Sequence, residues 1–183
     1  MEVEIQEIKQ LLKELALSQR ETDAMFKETD AKFKQTDKRI KSAFDLFDGQ
    51  WGKLMESLVE GDLIKLLRSK GMNVHDTSMR RKGFHNGKNF EFDIIAHNGQ
   101  EIVIVEVKTT LKTQDVKDFI SKLKHAREWM QEYSQYKVYG AIAFLRADGG
   151  SERFAENERL FVIRATGNSA SVVNGENFIP KIF

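Results

Sequence analysis

Between Phe90 and Thr110 the chain reads FEFDIIAHNGQEIVIVEVKTT. Two runs rich in β-branched and aromatic residues flank Asn98-Gly99, and an Asn-Gly step between such runs is a strong hairpin signal. A second step, Asn86-Gly87, separates SMRRKGF (78–84) from KNFEFDII (88–95). The pattern predicts a three-strand meander. In an extended strand alternate residues share a face, so Ile102, Ile104, Glu106 and Lys108 project one way and Val103, Val105 and Val107 the other. Glu106 and Lys108 therefore stand side by side, roughly 7 Å apart at Cα, next to a strand that carries Asp93.

Upstream, WGKLMESLVEGDLIKLLRSKG (51–71) places Trp51, Met55, Leu58, Val59 and Leu66 on one helical face, with Gly71 as the stop. Asp48-Gly49-Gln50 is expected to separate this helix from what precedes it. Downstream, Thr113 is expected to cap a helix whose apolar stripe is Val116, Phe119, Ile120, Leu123 and Met130. YKVYGAIAFL (136–145) is a nearly continuous apolar run, the mark of a strand buried on both faces. LFVIRA (160–165) predicts another strand, and SVVNGENFIPKIF (171–183) is left as a tail. The order α-β-β-β-α-β-β predicts an α/β or α+β domain over 51–183, a mixed sheet with helices packed on it.

Residues 1–48 have a different character. Glu21–Lys41, ETDAMFKETDAKFKQTDKRIK, is three seven-residue phrases. With Phe26, Phe33, Ile40 and Phe47 at heptad position a, the frame extends back through Gln19, Leu12 and Ile5. Position d is then Ile8, Leu15, Thr22, Thr29, Thr36 and Ala43. A two-position seam sustained over six heptads predicts a coiled-coil oligomerisation helix of about 65 Å. The acid–base pairs Asp23–Lys27, Glu28–Lys32, Asp30–Lys34 and Asp37–Lys41 are spaced to support it. Phe at a and Thr at d match no familiar rule for strand number, which stays open.

Composition narrows the function classes. The 183 residues contain no cysteine, which excludes disulfides and thiolate zinc sites. The four histidines show no ligand spacing. No apolar run approaches the length of a membrane helix, and the mixed-charge N-terminus is unlike a secretion signal, so a cytoplasmic protein without a membrane partner is expected. Net charge is +1, but basic residues cluster. Lys65–Lys88 holds seven against Asp76 alone, and Lys108–Arg127 holds six against Asp115 and Asp118. Arg80, Arg81 and Lys82 on the meander, with Lys117, Lys122 and Lys124 on the following helix, are candidates for holding a phosphate backbone.

Asp93, Glu106 and Lys108 suit a hard divalent cation bound to a phosphate, since Mg²⁺ takes one or two carboxylates plus water and phosphate oxygens. A nearby lysine can steady charge that develops in the transition state. Glu56 lies at the margin of the apolar face of helix 51–70. Glu60, turned about 40° further toward solvent at 100° per residue, is the alternative acid from that helix.

Asp93 followed after a turn by Glu106-Val107-Lys108, with an acidic helix before and a helix and strand after, resembles the PD-(D/E)XK nuclease superfamily. The resemblance covers about residues 51–165. Within that superfamily it is most similar to Holliday-junction-resolvase-like and restriction-endonuclease-like members, and Gly52-Lys53-Leu54-Met55-Glu56 matches their Gly-x-x-x-Glu helix pattern. One departure is Phe92, where the pattern has proline. The resemblance implies a restriction-endonuclease-like αβββαβ core and metal-assisted hydrolysis of DNA phosphodiesters. By it, Asp93, Glu106 and the main-chain carbonyl of Val107 hold Mg²⁺, for which Mn²⁺ substitutes. Glu56 orients the attacking water or holds a second ion. Lys108 positions and activates that water and steadies the pentavalent phosphate, and Thr109 or Thr110 donates a hydroxyl to a phosphate oxygen. DNA is the implied partner. With no base-reading module in the chain, shape rather than sequence is expected to direct cutting. The competing readings are a nuclease fold that binds nucleic acid without turnover, and an adaptor whose function is the coiled coil.

Overall fold

A computed structural model describes residues 2–166 and 169–183. The chain divides into two units, 1–48 and 49–183.

In the second unit six strands form one sheet in sequence order. β1 (Asp76–His85), β2 (Lys88–His97) and β3 (Glu101–Leu111) are the antiparallel meander. β4 (Lys137–Ala147) and β5 (Phe161–Thr166) add parallel to β3, and β6 (Ser169–Val172) closes the edge antiparallel. The first turn behaves as its sequence requires. Asn86 and Gly87 both take left-handed φ, 47° and 81°, the geometry of a two-residue hairpin whose twist matches the strands. At the second turn Gly99 is left-handed (φ 88°) and the Asn98 side chain accepts the main-chain N–H groups of Gln100 and Glu101.

β3 lies at the centre with a core on each face. Ile102 and Ile104 join Val116, Phe119, Ile120, Leu123 and Ala126 of α2 (Thr113–Trp129), all buried. Val103 and Val105 join Met55, Val59, Leu63 and Leu67 on the other side. Gly140 on β4 makes room for α2, because a Cβ there would come within 2.5 Å of Leu123 and 2.7 Å of Leu160.

Five expectations change. Helix α1 runs Glu2–Ser69 without a stop at Asp48-Gly49-Gln50. One helical glycine costs only about 1 kcal/mol relative to alanine, and no proline follows to enforce a break. The buried stripe of its last turns is Met55-Val59-Leu63-Leu67, while Trp51 is 37% exposed and Leu58 and Leu66 flank the stripe. α2 is capped at Lys112 and not at Thr113. There the Asp115 carboxylate reaches back to the Lys112 N–H at 2.8 Å. A short helix α3 (Ser151–Asn157), unannounced by any periodic stripe, provides the crossover that parallel β4 and β5 need. The tail gains β6 and is tied down by buried Asn174, which accepts the Val162 N–H and donates to the Leu160 carbonyl.

In the first unit, residues 5–47 present their heptad side chains outward, with Phe26 69%, Phe33 66% and Ile40 49% exposed. Of the expected pairs, Glu28–Lys32 (2.6 Å) and Asp30–Lys34 (2.8 Å) are closed. Thr22 and Thr36 donate their hydroxyls to the carbonyls four residues back, so two of the polar d positions are satisfied within the helix. Among the described residues no helix is long and apolar enough to cross a membrane.

Candidate active site

The β2–β3 ladder pairs Ile94 with Val105 through His97 with Ile102 and then ends. The next residues, Asp93 and Glu106, lie where the two strands stop exchanging hydrogen bonds. Asp93 turns its carboxylate into that opening and accepts the Val107 N–H at 2.7 Å. On its other edge β3 stays bonded to β4, with Glu106 opposite Ile142 and Lys108 opposite Phe144. The β1–β2 ladder also skips this level. Met79 pairs with Ile94 and Arg81 with Phe92, but Arg80 and Asp93 make no pair, and Arg80 takes left-handed φ of 52°. A non-glycine residue held there costs on the order of 1–3 kcal/mol, a strain that concentrates at functional sites.

Glu106 is 5% exposed and carries two ammonium partners. Lys108 Nζ donates to Oε1 at 2.8 Å, and Lys122 Nζ reaches Oε2 at 3.0 Å and Oε1 at 3.2 Å. Glu56, 7% exposed, is gripped by the Arg80 fork, Nε to Oε2 at 2.7 Å and Nη2 to Oε1 at 2.8 Å.

These charges act on one another. Burial pushes the Asp93 carboxyl up to about 6. The negative charges of Glu106 and Glu56 add to this, while the Val107 N–H and Lys108 oppose it. Burial works against the Lys108 ammonium, yet Glu106 and Asp93 outweigh it and its pKa is raised. Arg80 is raised by its hydrogen bonds to Glu56. The fold therefore concentrates carboxylates in a partly dry opening and offsets them with cations drawn from three elements.

Glu56, Asp93, Glu106 and Lys108 thus come into one electrostatic cluster. Glu60 does not join it, since its carboxylate accepts the Thr77 hydroxyl at 2.6 Å. Thr109 is exposed and Thr110 half-buried on β3. The six basic residues expected to face a phosphate backbone separate. Arg80 and Lys122 enter the acidic cluster. Arg81 is paired with Glu132, and Lys82 with Glu91 at 3.2 Å. Lys117 and Lys124 are exposed on α2. The sequence does hold a signal for Lys122. It flanks the buried stripe of α2, as Glu56 flanks that of α1, and such margins let a long side chain reach beneath the helix.

Among the described residues no group of three or more His, Cys, Asp or Glu is arranged to hold a metal ion. Glu56, committed to Arg80, is not a third ligand in this arrangement. The remaining donors, Asp93 and Glu106, still fit a hard divalent cation. They are two mutually repelling carboxylates, one raised well above its ordinary pKa by burial and by the other's charge, and Mg²⁺ needs no more than that beside water and phosphate oxygens.

No family model matches the chain, and no curated protein sequence matches it. Solved structures do. A repair endonuclease from Pyrococcus abyssi is 18% identical, with a TM-score of 0.41 over 58% of this chain and 45% of that one. EndoMS in complex with double-stranded DNA is 20% identical, with a TM-score of 0.36 over 56% of this chain and 42% of that one. A protein of unknown function, AF1548, is 14% identical, with a TM-score of 0.39 over 55% and 53%. The chain spans about half the length of the solved structures it matches.

Proposed function

We propose that residues 49–183 are a PD-(D/E)XK-type nuclease domain that hydrolyses DNA phosphodiesters with Mg²⁺ or Mn²⁺, and that the helix of residues 2–48 brings copies of the chain together. The observation that carries the reading is the opening between β2 and β3. Asp93 is held there on the Val107 N–H beside Glu106, which bears Lys108.

Asp93, Glu106 and the main-chain carbonyl of Val107 would hold the ion, which supplies charge neutralisation and Lewis acidity at the phosphate. Lys108 enters as an ammonium, since its neighbours favour the charged form. It therefore donates hydrogen bonds, fixing the attacking water or a non-bridging oxygen, and stabilises charge as it grows on the phosphate. Val107 N–H keeps Asp93 aimed into the opening. Arg80 and Lys122 balance the carboxylates before substrate arrives and on this reading would turn to the phosphate when it does.

The deciding experiment is cleavage of labelled duplex, single-stranded, flap and four-way-junction DNA in Mg²⁺ or Mn²⁺ beside Asp93→Ala and Lys108→Ala. Cleavage abolished by EDTA and reduced at least about 100-fold in both variants is expected. Absence of cleavage on every substrate, or cleavage undiminished in the variants, removes the assignment.

A further inference from the structure

Next to Glu106 the surface carries a file of aromatic rings that the hydrolytic site does not use. Phe90 and Trp129 have centroids 5.3 Å apart and planes within 16°. Trp129 and His125 repeat the arrangement at 5.4 Å and 16°. Phe92, fully buried, is tilted against both Phe90 and Trp129 and anchors them to the core. The arrangement is built locally. His125 and Trp129 are four residues apart on α2 and so lie one above the other. Phe90 occupies space that Gly83 leaves open, since a Cβ at 83 would fall 2.2 Å from its ring. Phe90 and Trp129 are only partly buried, and His125 is exposed.

Two adjoining grooves, of about 640 and about 460 Å³, run along this file and share Lys122 and Trp129. Lys82 borders the first and Lys88 the second. Each groove also has one acid on its wall, Glu91 and Glu128, and these are paired with Lys82 and His85. Lys122, on the wall of both grooves, is the residue that bonds Glu106, and so links them to the proposed hydrolytic site.

The exposed end of the file at His125, backed by Trp129 and bordered by lysines, matches the chemistry of an unpaired nucleobase on its phosphate backbone. A paired base inside a duplex has both faces covered and has nothing to offer such a platform. We propose that the Phe90–Trp129–His125 surface is a base-stacking subsite for an unpaired nucleotide flanking the phosphate to be cut. It directs the enzyme to DNA with single-stranded character. The inference rests on the nuclease reading, and it is tested by binding, apart from cleavage.

The chain has two tryptophans, Trp51 and Trp129. In full-length Trp51→Phe protein in EDTA, emission reports Trp129 alone. Titration with oligo(dT) is expected to quench it, whereas a blunt duplex of equal length is not. His125→Ala is expected to weaken oligo(dT) binding roughly tenfold, with duplex affinity by fluorescence anisotropy unchanged within about twofold. Because His125 is exposed, this variant leaves the core intact. An oligo(U) arm separates deoxyribose from ribose substrates, and quenching by either strand supports the subsite. If DNA binds but Trp129 is not quenched, or His125→Ala weakens duplex and single strand equally, the subsite is wrong while the nuclease reading stands. If no nucleic acid binds, both fall.

Discussion

Asp93 carries its charge in surroundings that resist it, and this has a measurable consequence. Its pKa in the fold, about 6, lies above the ordinary value of about 4 in an unfolded chain. The folded state therefore holds the proton more tightly. Its contribution to stability is fully present below pH 4 and is lost as pH rises from 4 through 6. At pH 7 the ionised carboxylate costs the metal-free fold about 2–3 kcal/mol, at about 1.4 per pKa unit. Asp93→Asn keeps an oxygen for the Val107 N–H and removes the charge. Urea denaturation in EDTA is expected to find the variant more stable than wild type by about 1–2 kcal/mol at pH 7, with the gap closing near pH 4. A variant less stable than wild type at pH 7 would show that the carboxylate is not under strain. At this scale Asp93, Glu106 and Lys108 were legible, because strand alternation alone places the last two side by side. Arg80 and Lys122 were legible only as charge. Their acidic partners, Glu56 and Glu106, are 24 and 16 residues away in sequence, and only the folded packing of α1, β1, β3 and α2 brings each pair together.

Among the elements, periodicity was a good guide to existence and type and a poor one to boundaries. The two Asn-Gly turns and the doubly buried β4 declare themselves through residue types that few other structures favour. α3 did not. It has seven residues, of which Ser151 and Ala155 are buried, and so has too little stripe to recognise. At Gly49 the reverse holds, since the helical preference of the residues on both sides outweighs a single local helix breaker. The heptad arm is helical, as its periodicity predicts. Its apolar stripe is exposed from Ile5 through Phe47. Helices of this kind gain most of their stability by packing that stripe. Full-length protein is expected to sediment as an oligomer, and Phe26→Ser with Phe33→Ser is expected to yield monomer. Monomeric wild type at tens of micromolar would exclude a coiled coil.

For the whole molecule the two units make a joint demand on the reaction. On the proposed reading each chain carries one hydrolytic site, built from Asp93, Glu106 and Lys108, and one such site would cut one DNA strand at a time. An arm that joins copies puts a second site near the first and raises its effective concentration without any new contact to DNA. Supercoiled plasmid separates the possibilities, since one cut gives open circle and two opposed cuts give linear DNA. If the arm couples the sites, wild type converts plasmid to linear with little open circle accumulating. The Phe26→Ser, Phe33→Ser protein, with its catalytic residues intact, accumulates open circle before any linear product. Its initial nicking rate per site should stay within about threefold of wild type, because the arm supplies proximity and not chemistry. Equal partition between open circle and linear in both proteins would mean that the arm serves something other than paired cutting. A nicking rate that collapsed with the arm variant would mean that the site itself depends on assembly.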